Sequence, residues 1–594
     1  MAGALGPVSG SYQGRIGTLA AAAWFGLGTL TALLLVVMIW RTFIGVPHWD
    51  SWGLLTLDEV FGGFFDSLNG HVSMAPRLVY AADIAWFSGS LALSMVVTVL
   101  LVLAASLLMV WVCRRAGLSW VYQGFCVIIL FWAYPAANFL SAFNVQIVAV
   151  FVLAAFTFAC AAFGERRGRG IAIVIAAVTG VTMANGILAG FLLAPLALVL
   201  GRPRRDIVIF AIAGIAIVAL YLMLATGSAD VLCASIYGTQ SPPPKFSLQG
   251  IGSMLGYLGV YLGAPVARLL FRTASFTDTT LIVTGALGYA GLITGGLLSL
   301  RALFGTHQRQ RPIVGFLMAL FAYLVGTAIV TAYGRGVECP VYSAATSRYG
   351  TSADMFWMTT VLLVAALPVV DRPWARQVPA IGTVLFGLVI AASQPFIVKA
   401  MIVSPAMAPV ATGKSGEQFL GGGHQADRIG ARTAILSSTL DVAALRVIMA
   451  PPGPAELETF DALRRKGLAP FQHDWSALLG RPLPSVYDLR DRSCSGTAAG
   501  LVPLPDGGWR IAGTLTGTDT QFGHIVTVNA EGLVAGYAMR SPGRTVREAV
   551  LNANPGWQGH INARLGSWPV SIYALDPDAK TACRISQLEP PVKG

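Results

Sequence analysis

Between Ile16 and Ala400 the chain alternates runs of about twenty apolar residues with short polar connections, the length a helix needs to cross a bilayer. Of all residues, 55% are hydrophobic and only 11% charged, with a mean hydropathy of +0.67, more apolar surface than a soluble core could hide. The formal net charge is +12. Its basic residues fall in clusters between the runs, as the positive-inside rule describes, so topology accounts for the excess without a nucleic-acid partner. Ile16 to Trp40 is too long for a signal-peptide core and lacks an obvious cleavage site, so it reads as a first span.

The basic clusters set the direction of each run. Arg114 and Arg115, then Arg166, Arg167 and Arg169, mark cytoplasmic ends. Ile171 to Leu200 is interrupted by Asn185-Gly186 and basic on both flanks, which predicts a short hairpin entering and leaving from one side. If Ile251 to Leu270 crossed fully, the basic segment RALFGTHQRQR would reach the wrong side; a re-entrant Gly252 to Pro265 restores the alternation, the alternative being a genuine crossing with an exception to the charge rule. The expectation for residues 1–402 is an α-helical polytopic membrane domain of about eleven spans plus that re-entrant segment.

From about Val403 the apolar runs stop. Residues 403–482 read as a helical extracytoplasmic linker region, with a helix over Pro454–Gly467 that has Pro near its start and Arg464, Arg465 and Lys466 at its end. Residues 483–594 alternate in short segments such as GWRIAGTLTG and HIVTVNAEG, which predicts a β-sandwich domain. Cys494 and Cys583 bracket that domain and are the preferred disulfide; Cys233 with Cys339 is a second pairing on the same side.

Candidate chemistry concentrates in Val46 to Asp83, where ionisable groups crowd a membrane boundary. Asp50, in PHWDSW, is the candidate catalytic carboxylate; the plain alternative is a loop or helix-starting acid. Trp49 and Trp52 beside it suit sugar stacking and equally suit a membrane interface. Asp58 and Glu59 form an acidic pair that also reads as the first turn of an amphipathic helix running to Phe65. His48 and His71 could join Asp50 around a divalent metal such as Mg or Mn, although no recognised ligand spacing links them. Arg77 follows in NGHVSMAPRL, and Asn138, Asn144 and Gln146 lie in a second loop on the same side, as helix caps or sugar ligands. Arg335, Arg348 and Tyr349, in YGRGVECPVYSAATSRYGT, are candidates for holding a lipid phosphate, with Lys245 after SPPP as a third cation. The plain reading of these cations is snorkelling to headgroups or pairing with Asp50 or Asp83. No P-loop and no G-x-S-x-G elbow occurs.

A first span followed by Asp50 in PHWDSW, many further spans and an extracytoplasmic C-terminal domain resemble the GT-C superfamily of polyprenyl-phosphate-sugar-dependent glycosyltransferases. The loop NGHVSMAPRL, the stretch Gly334 to Tyr349 and the ALRVIMAPP to RKGLAPF region also resemble a large group of bacterial multi-span proteins. The resemblance implies a GT-C-like fold in the bacterial inner membrane. It also implies a polyprenyl-phosphate sugar donor, a cell-envelope glycan or lipid acceptor, inverting transfer, and a carbohydrate-binding role for the β domain. Ser51 stands where the better-known transferases carry a second acid, which bears on metal dependence. A non-catalytic flippase or an envelope scaffold is the alternative. Asp50 separates these readings, since only the transferase needs a positioned carboxylate.

Overall fold

The computed structural model describes residues 10–590 apart from 44, 47–56, 63, 66, 69–70, 226–243, 272–276, 306–310, 368–372, 403–424, 440–444, 446–453, 490–493, 505, 517–521, 542–555 and 579. A helical bundle comes first: α1 (Gly10–Thr42), α2 (Leu57–Gly62), a small hairpin of β1 (Ser67–Leu68) and β2 (His71–Val72), then α3 (Met74–Phe87) and α4 (Ala92–Arg115). α5 (Trp120–Leu130), α6 (Ala136–Leu140), α7 (Val145–Phe163), α8 (Arg166–Gly180), α9 (Ile187–Val199) and α10 (Arg204–Leu224) follow. The bundle closes with α11 (Leu248–Phe271), α12 (Asp278–Gly305), α13 (Arg311–Arg335), α14 (Gly350–Ala366) and α15 (Pro373–Ile402).

Among the described residues, 8 helices are long and apolar enough to cross a membrane, fewer than the eleven spans expected. Part of the difference has a clear physical cause. Leu118 to Tyr134 reads as a span, yet its helix is only the 11 residues of α5. Beyond Leu130 the backbone leaves the helix inside the protein, and the buried side chain of Gln394 satisfies it. Its amide donates to the carbonyls of Thr31 (3.0 Å) and Phe131 (3.2 Å), and its oxygen accepts from Ala133 N (2.7 Å). Irregular backbone survives at this depth because protein, not lipid, surrounds it.

The predicted hairpin is present as α8 and α9, joined by a turn at Asn185-Gly186. Its ends are tied together: Arg169 pairs with Asp206, and Arg202 Nη2 donates to the carbonyls of Ala161, Ala162 and Gly164 at 3.1–3.4 Å. This is the basic end of the bundle, and Arg311 at the start of α13 joins it beside Gly201. The opposite end, where the long loops gather, is called the loop end below.

The re-entrant half-helix expected over Gly252 to Pro265 does not form. α11 is one uninterrupted helix of 24 residues, about 36 Å long, with Pro265 inside it. The glycines serve packing rather than a turn: Gly259 and Gly263 lie against Thr284, Gly285 and Gly288 of α12, where side chains would collide with backbone. Trp357 Nε1 donates to the carbonyl of Leu262 (2.8 Å), satisfying backbone in the turn that Pro265 opens. The chain direction survives even so. α11 starts beside Gly336 at the loop end, and six residues link its end to α12, which runs down to the connection with Arg311.

The C-terminal domain is β-rich. Strands β3 (Asp488–Leu489), β4 (Gly496–Pro503), β5 (Trp509–Leu515), β6 (His524–Val528), β7 (Val534–Arg540), β8 (Gly556–Ile561), β9 (Val570–Asp576) and β10 (Thr581–Leu588) form a single 8-stranded sheet, ordered β3-β10-β9-β6-β7-β8-β5-β4. It is antiparallel except for the short β3. A two-sheet sandwich is therefore not what forms. The sheet curls into a half-barrel, with Ile511, Ile525, Trp557, Ile561 and Ile572 in one core. At the seam Cys494 N donates to Arg584 O (2.8 Å), and Cys494 is disulfide-bonded to Cys583. The outer surface of the sheet meets α16 (Gln425–Leu436) and α17 (Pro454–Lys466) through Ile435, Phe460, Val526, Tyr537 and Leu575. Val46, which follows α1, packs into this second core, so the domain adjoins the loop end.

Candidate functional site

Three segments far apart in sequence build the loop end. Asn138 Nδ2 donates to Arg348 O (3.0 Å) and to Thr351 Oγ1 (2.8 Å). Tyr134 Oη donates to Ala345 O (3.3 Å), and Ala137 N to Ser347 Oγ (3.4 Å). On the other flank Ser73 Oγ donates to Gln146 Oε1 (2.8 Å), Tyr80 Oη to Phe143 O (2.9 Å), and Ala75 N to Val181 O at the hairpin tip. Asn144, whose Nδ2 donates to Ala137 O (2.9 Å), braces the loop between them. These polar groups are mostly buried and partnered, which fixes the loops around a common centre.

That centre contains His71, Arg335, Arg348 and Tyr349. Arg335 ends α13 and Arg348 lies in the short turn before α14. His71 in β2 titrates at about 4, below the ordinary histidine value, because of burial and then the positive charges of Arg335 and Arg348. Its Nδ1 is buried with no hydrogen-bond partner among the described residues. Burial raises the Tyr349 phenol, but the guanidinium groups of Arg348 and Arg335 more than offset that and leave its pKa below the ordinary value. Arg348 lies over the Tyr349 ring (5.2 Å), and Tyr257 Oη donates to Tyr349 Oη (3.3 Å). Tyr261 packs on the same ring at 5.0 Å and shares a hydrogen bond with Ser352. Two cations, a neutral imidazole and a phenol thus share one polarised neighbourhood, an arrangement suited to an anion.

The other candidates fall differently. Lys245 Nζ pairs with Glu338 (3.4 Å) and lies over Tyr333 (5.0 Å), so its charge is already answered. Arg77 is buried and donates from Nη1 to Val60 O (3.1 Å), binding α3 to α2. Among the described residues Asp83 pairs with no arginine; it accepts from Leu91 N (3.1 Å) and Ser94 N (3.4 Å) at the start of α4. Asp58 and Glu59 are in α2, which ends at Gly62 rather than Phe65, and their side chains are outside the described residues. His48, Trp49, Asp50 and Trp52 are also outside them. Cys339 is disulfide-bonded, while Cys233, proposed as its partner, is outside. Two of the three side chains expected around a divalent metal, His48 and Asp50, are outside the described residues; among the described residues the charges acting on His71 are two guanidinium groups, and no cluster of three ligating side chains occurs.

Sequence reasoning misses Asp354. It is 2% exposed in α14, and its Oδ1 has no partner among the described residues. Its only signal is its position one residue before the apolar run from Met355.

Fold and site together define a class: a many-helix membrane protein with a cationic cluster at one end of its bundle and a β-rich C-terminal domain. The chain matches no protein-family model and no curated protein.

Proposed function

We propose that this protein is a membrane glycosyltransferase moving a sugar from a polyprenyl-phosphate donor to a cell-envelope glycan or lipid on the extracytoplasmic face. The observation that carries the reading is the meeting of Arg335 and Arg348, from opposite edges of one loop, around His71 and Tyr349. Such a cluster at the end of a helical bundle suits a lipid-linked phosphate, whose tail would extend along the apolar helices while its head meets the guanidinium forks. In the reaction the acceptor hydroxyl attacks the anomeric carbon and Asp50 takes its proton. The bond from that carbon to the phosphate oxygen breaks with its electron pair going to oxygen. Arg348 and Arg335 stabilise the departing polyprenyl phosphate.

The test uses the full chain in lipid vesicles with a radiolabelled polyprenyl-phosphate sugar. Asp50→Asn is expected to abolish transfer while retaining donor binding, and Arg348→Gln to weaken donor binding. Undiminished transfer by Asp50→Asn removes the carboxylate from the mechanism. Movement of the lipid across the bilayer without any transfer replaces the enzyme with a flippase.

A further inference from the structure

The C-terminal domain contains a cavity of about 930 Å³ that the transferase reading does not use. Its lining brings Arg432 of α16, Trp475 and His524 at the start of β6 together with Asp474, Asp576, Asp578 and Lys580. The His524 ring stacks on Trp475 at 4.0 Å, His473 lies parallel to that indole at 6.2 Å, and Arg432 stands 6.0 Å from it. Among the described residues, Arg432 Nε and His524 Nδ1 are buried atoms with no hydrogen-bond partner. Burial lowers the Arg432 pKa only to about 10, so its charge persists at neutral pH. Among the described residues no carboxylate is bonded to this guanidinium, which leaves an anion-binding fork unfilled.

The carboxylates in the same lining restrict what that anion can belong to. Asp474 is bonded to Lys580 (3.0 Å), and with Asp576 and Asp578 it makes a wall of carboxylates. Such a wall accepts hydroxyl protons but repels a polyphosphate. Trp475 is 5% exposed and one face is taken by His524, so no open aromatic face awaits a nucleobase. A single negative charge on a hydroxylated frame satisfies both the guanidinium and the carboxylates. We infer that this cavity binds an acidic saccharide, with its carboxylate or phosphate on Arg432 and its hydroxyl groups on Asp474, Asp576 and Asp578. The inference stands whether or not the bundle transfers sugars.

Isothermal titration calorimetry on the full chain in detergent tests it with five probes: trigalacturonic acid, glucose 6-phosphate, neutral cellotriose, inorganic phosphate and trilysine. At least one acidic sugar is expected to bind at least tenfold more tightly than cellotriose and inorganic phosphate; which one binds identifies the anion. Arg432→Gln is expected to lower that affinity at least tenfold with an unchanged thermal melt. Should that variant fail to fold, Asp578→Ala on the exposed rim is expected to weaken binding about threefold, and unchanged affinity there overturns the inference. Failure of both acidic sugars to bind overturns it, as does equal binding of cellotriose. Phosphate binding as tightly as either sugar reduces the site to a simple anion hole, and preference for trilysine makes it a peptide site. A folded Arg432→Gln with full affinity also refutes it.

Discussion

Asn138 holds Thr351 from 213 residues away, its Nδ2 2.8 Å from Thr351 Oγ1, and the same nitrogen reaches the Arg348 carbonyl at 3.0 Å. This one amide fixes the backbone that carries the Arg348 guanidinium. Asn138 is 0% exposed, so truncation leaves a carbonyl and a hydroxyl to find new partners in a dry place. Asn138→Ala is expected to cost about 1–3 kcal/mol in stability. It is also expected to weaken donor binding, because Arg348 loses its support. A thermal melt in detergent and a donor-binding titration measure the two effects.

His71 makes acid stability readable. Its folded pKa of about 4 is below the unfolded value near 6.5, so the fold favours the neutral ring. That contribution is fully present above pH 6.5 and declines as pH falls toward 4, where the imidazole charges beside Arg335 and Arg348. Wild type is expected to lose stability over that window more steeply than His71→Gln, whose side chain cannot charge. Melting temperatures between pH 4 and 8 measure the difference, and identical slopes remove His71 as the cause.

Asp83 behaves with the opposite sign. Burial raises its pKa to about 6, although the backbone hydrogen bonds from Ser94, Leu91 and Leu93 pull it down. Its protonated form is therefore favoured in the fold, giving a contribution present below the unfolded value near 4 and lost as pH rises through 6. The carboxyl is retained because the turn needs an acceptor: Ser88, Gly89 and Leu91 all have positive φ, and Asp83 receives Leu91 N and Ser94 N there. Asp83→Asn removes the charge and keeps one of the two acceptor oxygens, the one for Leu91 N, and is expected to fall between wild type and Asp83→Ala in stability at pH 7. Asp83→Ala is expected to lose about 1–2 kcal/mol. Melting curves of both variants at pH 5 and 7 separate charge from acceptor.

The α8–α9 hairpin is legible in the sequence because basic residues on both flanks fix both ends on one side, and Arg169 with Asp206 joins those ends in the fold. The disulfide pair Cys494–Cys583 is legible for a similar reason, since two cysteines bracketing a β-rich stretch can close it. Other features depend on partners that no local pattern names. Gln394 sits in an apolar run, and nothing near it announces that it replaces part of a helix at Phe131 and Ala133. Alternation in the strands marks two apolar faces, but one covers the inside of a curl and the other meets α16 and α17, which a second sheet would satisfy equally well. His71, Arg335 and Arg348 stand out in the sequence only as separate loop residues, whereas their convergence comes from the bracing by Asn138 and Gln146.

The glycines of α11 suggest, in the sequence alone, a place where the chain turns back, and their contacts argue for a different sensitivity. A Cβ on Gly263 would strike the carbonyl of Thr284, and one on Gly288 would strike that of Gly259, so each glycine exists to let two backbones touch. A Cβ added at Gly285 or Gly296 of the same α12 helix would meet nothing within 4 Å. Gly263→Val is expected to force α11 from α12 at a cost of about 3 kcal/mol, at the upper end for overpacking. Gly296→Ala is expected to be neutral or to stabilise by about 0.5–1 kcal/mol through helix propensity. Thermal melts of the two variants in one detergent compare them directly. A turn in this segment would reverse the pattern, leaving Gly263→Val tolerated, because no partner backbone would then lie against it.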